Sequence, residues 1–159
     1  MQKRNATVAV IGAGDFIGSE IAKKFASEGF TVFAGRRNGA KLEPLVKEIE
    51  AAGGEIHARS LDARKEEEII SFLGDADKHA PLDVCIFKVG ANVKCPMLET
   101  SERVFHKVWE MAGYSGVRAG READRRMLPR GKGNIFFTGA TASLRGGSGY
   151  AAFASAKFG

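Results

Sequence analysis

The sequence predicts an α/β fold built on a doubly wound parallel sheet, and three observations carry that prediction. Short apolar runs alternate along the chain with segments of helical period. The runs are near-continuous, as in strands covered on both faces, and do not alternate as half-exposed strands do. A glycine turn joins the first run to the first helix. Right-handed crossovers between such strands give the order 3-2-1-4-5.

Taken in order, Val8 to Ile11 is strand one, and Ser19 to Ser27 lies on helix one, closed by Gly29 just past its last turn. Phe30 to Ala34 is strand two. Lys41 to Ala52 is a helix with Leu42, Leu45, Val46 and Ile49 on one stripe, ended by Gly53-Gly54. Glu55 to Ser60 is strand three, and a short helix follows from Lys65 to Leu73. Val84 to Val89 is strand four, polar only at Lys88. A long helix runs from about Thr100 to Met127, and Pro129-Arg-Gly-Lys-Gly marks its exit. Asn134 to Thr138 is strand five, and Tyr150 opens another helix.

The 159 residues suit a single domain, 44% hydrophobic and 27% charged. No apolar run approaches the roughly 20 residues of a membrane helix. The start, Met1-Gln-Lys-Arg-Asn, passes directly into strand one without a signal-peptide pattern, so a cytoplasmic protein without membrane partners is expected. Cys85 falls in a buried strand and Cys95 in a loop, which reads as two reduced structural thiols. His57, His79 and His106 are far apart in sequence, and no metal site is expected. The net charge is +5, but Lys and Arg alternate with Glu over Lys41–Glu50 and Arg64–Glu68, as on solvated helix faces. Arg118, Arg121, Arg125, Arg126 and Arg130 recur at helical spacing without interleaved aromatics, so a nucleic-acid partner is not expected.

The run Ile11-Gly-Ala-Gly-Asp-Phe-Ile-Gly18 brings helix N-terminal amides to a crevice, where a pyrophosphate meets the positive end of the helix dipole. Side chains at Gly12 or Gly14 would obstruct phosphates, and one at Gly18 would push the helix off the strand. An NAD-preferring site carries an acidic residue about 20 positions after the first glycine. Here Gly35 stands there, followed by Arg36-Arg37, which suit a 2′-phosphate through charge-assisted hydrogen bonds. NADP(H) is therefore the expected cofactor. Asp62 either accepts from an adenine amino group or caps the helix beginning near Lys65. Gly90 and Thr138 fall at the same sheet edge, the carboxyl ends of the strands.

These features resemble the short-chain dehydrogenase/reductase family, a Rossmann-fold family of oxidoreductases, over the whole chain. The glycine run, Leu61-Asp-Ala63, Phe87-Lys-Val-Gly90, Gly133-Asn-Ile-Phe-Phe-Thr-Gly-Ala140 and Phe153-Ala-Ser-Ala-Lys157 carry the likeness in order and spacing. The resemblance implies NADP(H) contacts from Gly12, Gly14, Asp15, Phe16, Ile17, Gly18, Arg36, Arg37, Asp62, Ala63, Val89, Gly90, Thr138 and Lys157. It also implies a small-molecule carbonyl or alcohol substrate, and a homo-oligomer when the chain is full length. Val104, Val108, Trp109 and Met111 are the apolar candidates for that interface, with Trp109 equally suited to the core.

Several identities depart from the family. Its pattern T-G-x-x-x-G-x-G meets Ile11 and Phe16, and only Gly90 remains of N-N-A-G. Its catalytic asparagine, serine and tyrosine align with Gly113, Ala140 and Phe153, and Lys157 alone is kept. Losing a general acid costs roughly 10²–10⁴ in rate, and losing an oxyanion donor about 10²–10³. Tyr150 is the candidate replacement proton donor, assisted by Thr141 or Ser143. Standing two turns before Lys157, it lies about 10 Å from it along the axis at 1.5 Å per residue. Family members continue beyond the lysine with further strands and a lid, so a truncated chain with an uncovered fifth strand is expected.

Overall fold

The computed structural model describes residues 2–159. Five parallel strands, β1 (Thr7–Ile11), β2 (Thr31–Arg36), β3 (Glu55–Ser60), β4 (Leu82–Phe87) and β5 (Asn134–Phe137), form one sheet in the order β3-β2-β1-β4-β5. The order matches the doubly wound prediction.

Each crossover carries a helix. α1 (Ile17–Ser27) and α2 (Glu43–Ala51) cover one face, and α3 (Glu66–His79) and α5 (Ser115–Met127) cover the other. Strand periodicity divides β1 between them. Val8 and Val10 join Val32, Ala34, Ala22, Ala26, Leu45 and Ile49 in one core. Ala9 and Ile11 join Phe33, Phe72, Leu73, Phe87 and Met127 in the other. Both faces of β1 are therefore dry, which explains its unbroken apolar run. Small residues let α5 approach the sheet closely. A Cβ at Gly120 would lie 2.8 Å from the Phe137 ring, and one at Gly116 would lie 3.3 Å from the Phe87 ring.

A third, smaller core joins α4 (Glu102–Trp109) to α6 (Ala151–Phe158) through Val108, Ala112, Ala152 and Ala156, with Phe153 packed against them. Ser101 caps α4, its hydroxyl accepting from the Val104 amide at 3.3 Å. The helix expected over Thr100–Met127 is continuous in direction but contains a π turn at Glu110–Tyr114.

Three boundaries differ from expectation. Strand four begins at Leu82 and ends at Phe87, and the Lys88 amide makes a last bond to β1, donating to Ile11 O at 2.8 Å. The third helix continues past Leu73 to His79, since Gly74 is packed beneath the Arg126 guanidinium and does not break it. Of the interface candidates, Val108 is buried against α6, Val104 packs beside it, and Met111 faces the main cleft. Trp109 is 40% exposed and stacks on Tyr114. β5 is an edge strand, with Phe136 and Phe137 53% and 58% exposed.

Phe72 is fully buried at the centre of the α3-side core. Phe72→Ala is expected to lower unfolding free energy by about 3–5 kcal/mol, the usual cost of truncating a buried Phe. Urea denaturation followed by circular dichroism measures it.

Candidate functional site

Three loops meet above the carboxyl ends of the central strands. Gly12 leaves β1 with φ +95°, and its amide and that of Ala13 both donate to Gly35 O, at 2.8 and 3.1 Å. A Cβ on Gly12 would sit 2.4 Å from Lys88 O, so both conformation and space demand glycine. A Cβ on Gly18 would sit 2.7 Å from Ala13 Cα, which is the close helix-to-turn contact expected of it. Gly14 faces open space, with nothing within 4 Å of a Cβ there. α1 begins at Ile17, and its cap position, Phe16, offers no side-chain cap. The Ser19 amide is taken by Gly14 O at 2.9 Å, and the amides before it are open to an outside acceptor.

The turn borders a cleft of about 560 Å³. Of the sequence-predicted residues, Gly12, Gly14, Arg36, Arg37, Asp62, Ala63, Val89 and Gly90 line it together. Asn38, Lys41, Arg64, Lys88 and Met111 also line it. Sequence reasoning missed these, although Lys41 and Arg64 closely follow positions it selected. Asp15, Phe16 and Ile17 lie outside the cleft, on the exposed start of α1, and Gly18 is buried beneath the turn.

Two ion pairs organise the charge. Arg36 donates to Asp15 at 2.5 Å and holds that carboxyl below its ordinary range. Arg64 grips Asp62 through Nε at 2.9 Å and a terminal nitrogen at 2.6 Å, and its amide adds a bond at 3.1 Å. Asp62 therefore does not cap the helix. The cap position is Lys65, and the Asp62 amide instead donates to Glu68 at 2.7 Å. Arg37 and Lys41 form no ion pair among the described residues, and both face the cleft.

Lys157, on α6, donates to Val89 O and Thr138 O, both at 3.0 Å. It thereby ties the exits of β4 and β5 at the border between the cleft and a cavity of about 370 Å³. That cavity is lined by Thr138, Ser143, Gly113 and Lys157 itself. Burial, with the nearby Lys88 charge, lowers the Lys157 pKa below its ordinary value. Gly113 lies within the π turn, where a Cβ would meet Ala156 O at 3.2 Å. Tyr150 caps α6 from a neighbouring cavity of about 550 Å³ shared with Ala140, Thr141, Arg145 and Phe153. Ser143 accepts from the Ala140 amide at 2.9 Å and so fixes its own turn. Thr141 lies on the Tyr150 side and Ser143 on the Lys157 side.

Outside the cleft, the arginine row pairs with carboxylates along α5 and the turn after it: Arg118 loosely with Glu110 at 3.9 Å, Arg121 with Glu66, Arg125 and Arg126 with the buried Glu122, and Arg130 with Asp77. Burial pushes the Cys85 thiol up to about 12, consistent with an unreactive core residue. The histidines behave differently from expectation. His57 and His79 come together with Glu55, all their ligand atoms lying within 4.8 Å of one another. No helix among the described residues is long and apolar enough to cross a membrane.

A family model described as short chain dehydrogenase matches residues 6–159. The NADPH-dependent 1-acyldihydroxyacetone phosphate reductase of Saccharomyces cerevisiae is 29% identical over 149 residues, covering 91% of this chain and 49% of the relative. The L-tagatose-forming galactitol 2-dehydrogenase of Cereibacter sphaeroides is 30% identical over 131 residues, covering 82% and 50%. The chain thus spans about half the length of these curated relatives. Among solved structures, a short-chain dehydrogenase from Rhodopseudomonas palustris superposes with TM-score 0.96 at 75% identity, over 98% of this chain and 74% of that one. An actinorhodin polyketide ketoreductase crystallised with NADPH superposes with TM-score 0.92 at 28% identity, over 99% and 62%.

The Asp62–Arg64 pair has a titration signature. A carboxyl held below its ordinary 3.8 by Arg64 adds stability above that pH and loses it as pH falls through the folded value. Asp62→Asn is expected to lower stability at neutral pH and to make the acid limb of the stability profile shallower. Urea midpoints across an acid pH series report both.

Proposed function

The chain belongs to the short-chain dehydrogenase/reductase family, and on that premise we propose that it is an NADP(H)-dependent oxidoreductase of a small-molecule carbonyl or alcohol. The observation that carries the cofactor half of this reading is the cleft rim. Five cations, Arg36, Arg37, Lys41, Arg64 and Lys88, line it against the one carboxylate Asp62, with Asp15 outside it on the exposed start of α1, beside an uncapped helix start. Such a rim favours a dinucleotide carrying an extra phosphate over one presenting a 2′-hydroxyl. The open space at Gly14 fits a pyrophosphate, which would rest on the amides of Asp15, Phe16 and Ile17 with Gly12 and Gly18 keeping the turn tight.

Arg37 and Lys41 are the principal 2′-phosphate ligands in this reading, because Arg36 is already engaged by Asp15. Asp62 and Ala63 border the adenine, and Val89, Gly90 and Thr138 border the nicotinamide half. When bound, NADPH supplies the hydride. Lys157 orients the nicotinamide ribose from its station between Val89 O and Thr138 O. Tyr150 delivers the proton to the substrate oxygen and Thr141 helps hold that oxygen, both facing one cavity. A carbonyl that took up hydride at carbon would leave the π-bond electrons on oxygen, and that oxygen would take the Tyr150 phenol proton to complete the alcohol. The yeast relative named as NADPH-dependent and the ketoreductase crystallised with NADPH agree in cofactor with this reading. The exposed Trp109–Tyr114 stack on the long helix supports a homo-oligomer as part of the same proposal.

Ala140 and Phe153, where the family carries serine and tyrosine, favour a second reading. In it the protein binds NADP(H) as a sensor or regulatory partner without hydride chemistry. Steady-state NADPH oxidation against a carbonyl panel separates the two. The wild type is expected to turn over. Tyr150→Phe is expected to lose at least about 10²-fold in rate, as when a general acid is removed, with NADPH affinity unchanged. Unchanged turnover in Tyr150→Phe would remove Tyr150 from the mechanism. Tight binding with no oxidation by any carbonyl would establish the second reading.

A further inference from the structure

We propose that Glu55, His57 and His79 form a binding site for a divalent transition-metal ion of the zinc type. The site lies at the opposite end of the sheet from the cofactor cleft. Glu55 and His57 point from the start of β3, and His79 closes α3. Nε2 of His57 and Nε2 of His79 each stand 3.1 Å from the same oxygen, Glu55 Oε1. A tetrahedral ion about 2.0–2.2 Å from nitrogen and oxygen ligands separates those ligands by roughly 3.3 Å. Two of the three separations are thus close to ligating distance before any ion binds, and the third lies within 4.8 Å.

The surroundings hold this arrangement in place. Phe33 is buried and is the lateral partner of His57 in the sheet. Its ring stacks on His57 with centroids 4.7 Å apart and meets His79 edge-on at 5.9 Å. Lys3 pairs with the other Glu55 oxygen, Oε2, which leaves Oε1 facing the two imidazoles. Two imidazoles and one carboxylate select zinc-like ions over calcium or magnesium, which require all-oxygen shells. Partial exposure of all three side chains leaves the fourth position to water.

The ion would staple the edge strand β3 to the end of α3. It stands far from the chemistry, since the length of β3 alone, roughly 16 Å at 3.3 Å per residue, separates it from the cleft. Its signature is accordingly stability and not turnover. The test is calorimetric titration of this chain with Zn²⁺, with Co²⁺ absorption and thermal melts in parallel. The expected result is one ion per chain, tetrahedral Co²⁺ bands, and a raised melting temperature. Affinity should fall at least about tenfold, or 1.4 kcal/mol, in His57→Ala and in His79→Ala. It should be unchanged in His106→Ala and Cys95→Ser. Absence of saturable Zn²⁺ binding to the wild type up to about 1 mM would overturn the proposal. Full binding by a folded His57→Ala/His79→Ala protein would overturn it equally.

Discussion

The structure depends on how tightly the chain turns at the end of its central strand. Gly12 adopts a left-handed conformation with its would-be Cβ against Lys88 O, and its own amide and that of Ala13 both close on Gly35 O. That contact joins the exits of β1, β2 and β4 in one place. The pattern continues outward, because Leu61 donates to Arg36 O and Thr138 donates to Phe87 O. Every crossover loop is thus tied to the strand beside it, and the cleft is the space left between the ties. Gly18, pressed on Ala13, then fixes the angle at which α1 points its first turn into that space.

Electrostatics refine this frame. Asp15–Arg36 and Asp62–Arg64 are pairs partly screened by water, and such pairs contribute little to stability. They matter by deciding which charges stay uncommitted. With Arg36 and Arg64 engaged, Arg37, Lys41 and Lys88 line the cleft without an ion pair among the described residues. Lys157 is held by two main-chain carbonyls and not by a carboxylate, so its ammonium keeps donor capacity facing the cavities. The third core, between α4 and α6, sets the position of that lysine. Its crowding at Gly113 leaves little room for a side chain there.

The sheet order was legible because both faces of the strands are covered, which writes apolar runs directly into the sequence. The need for glycine at positions 12 and 18 was legible too, although at Gly12 the crowding atom is Lys88 O, a neighbour that spacing does not reveal. Less local features were not. Asp62 offered two roles from sequence, and the structure gives its carboxylate to Arg64, a side-chain choice that spacing does not encode. The π turn at Glu110–Tyr114 leaves the hydrophobic period nearly intact, so it is silent in a periodicity reading. His57 and His79 looked unrelated because their meeting depends on α3 running on from Leu73 to His79 and then packing back beside β3. Lys41 joined the cleft through the tight 3₁₀ turn at Gly39–Leu42, which replaces the first turn of the expected helix.

The central claim is that the glycine turn and its basic rim bind NADP(H). The dissociation constants of this chain for NADPH and NADH, measured side by side by calorimetry or by Trp109 fluorescence, test it most directly. Binding of NADPH at least about tenfold tighter than NADH, a difference of 1.4 kcal/mol, is the predicted result. Equal affinities would contradict the role given to Arg37 and Lys41. A folded chain that binds neither would contradict the assignment of the cleft itself.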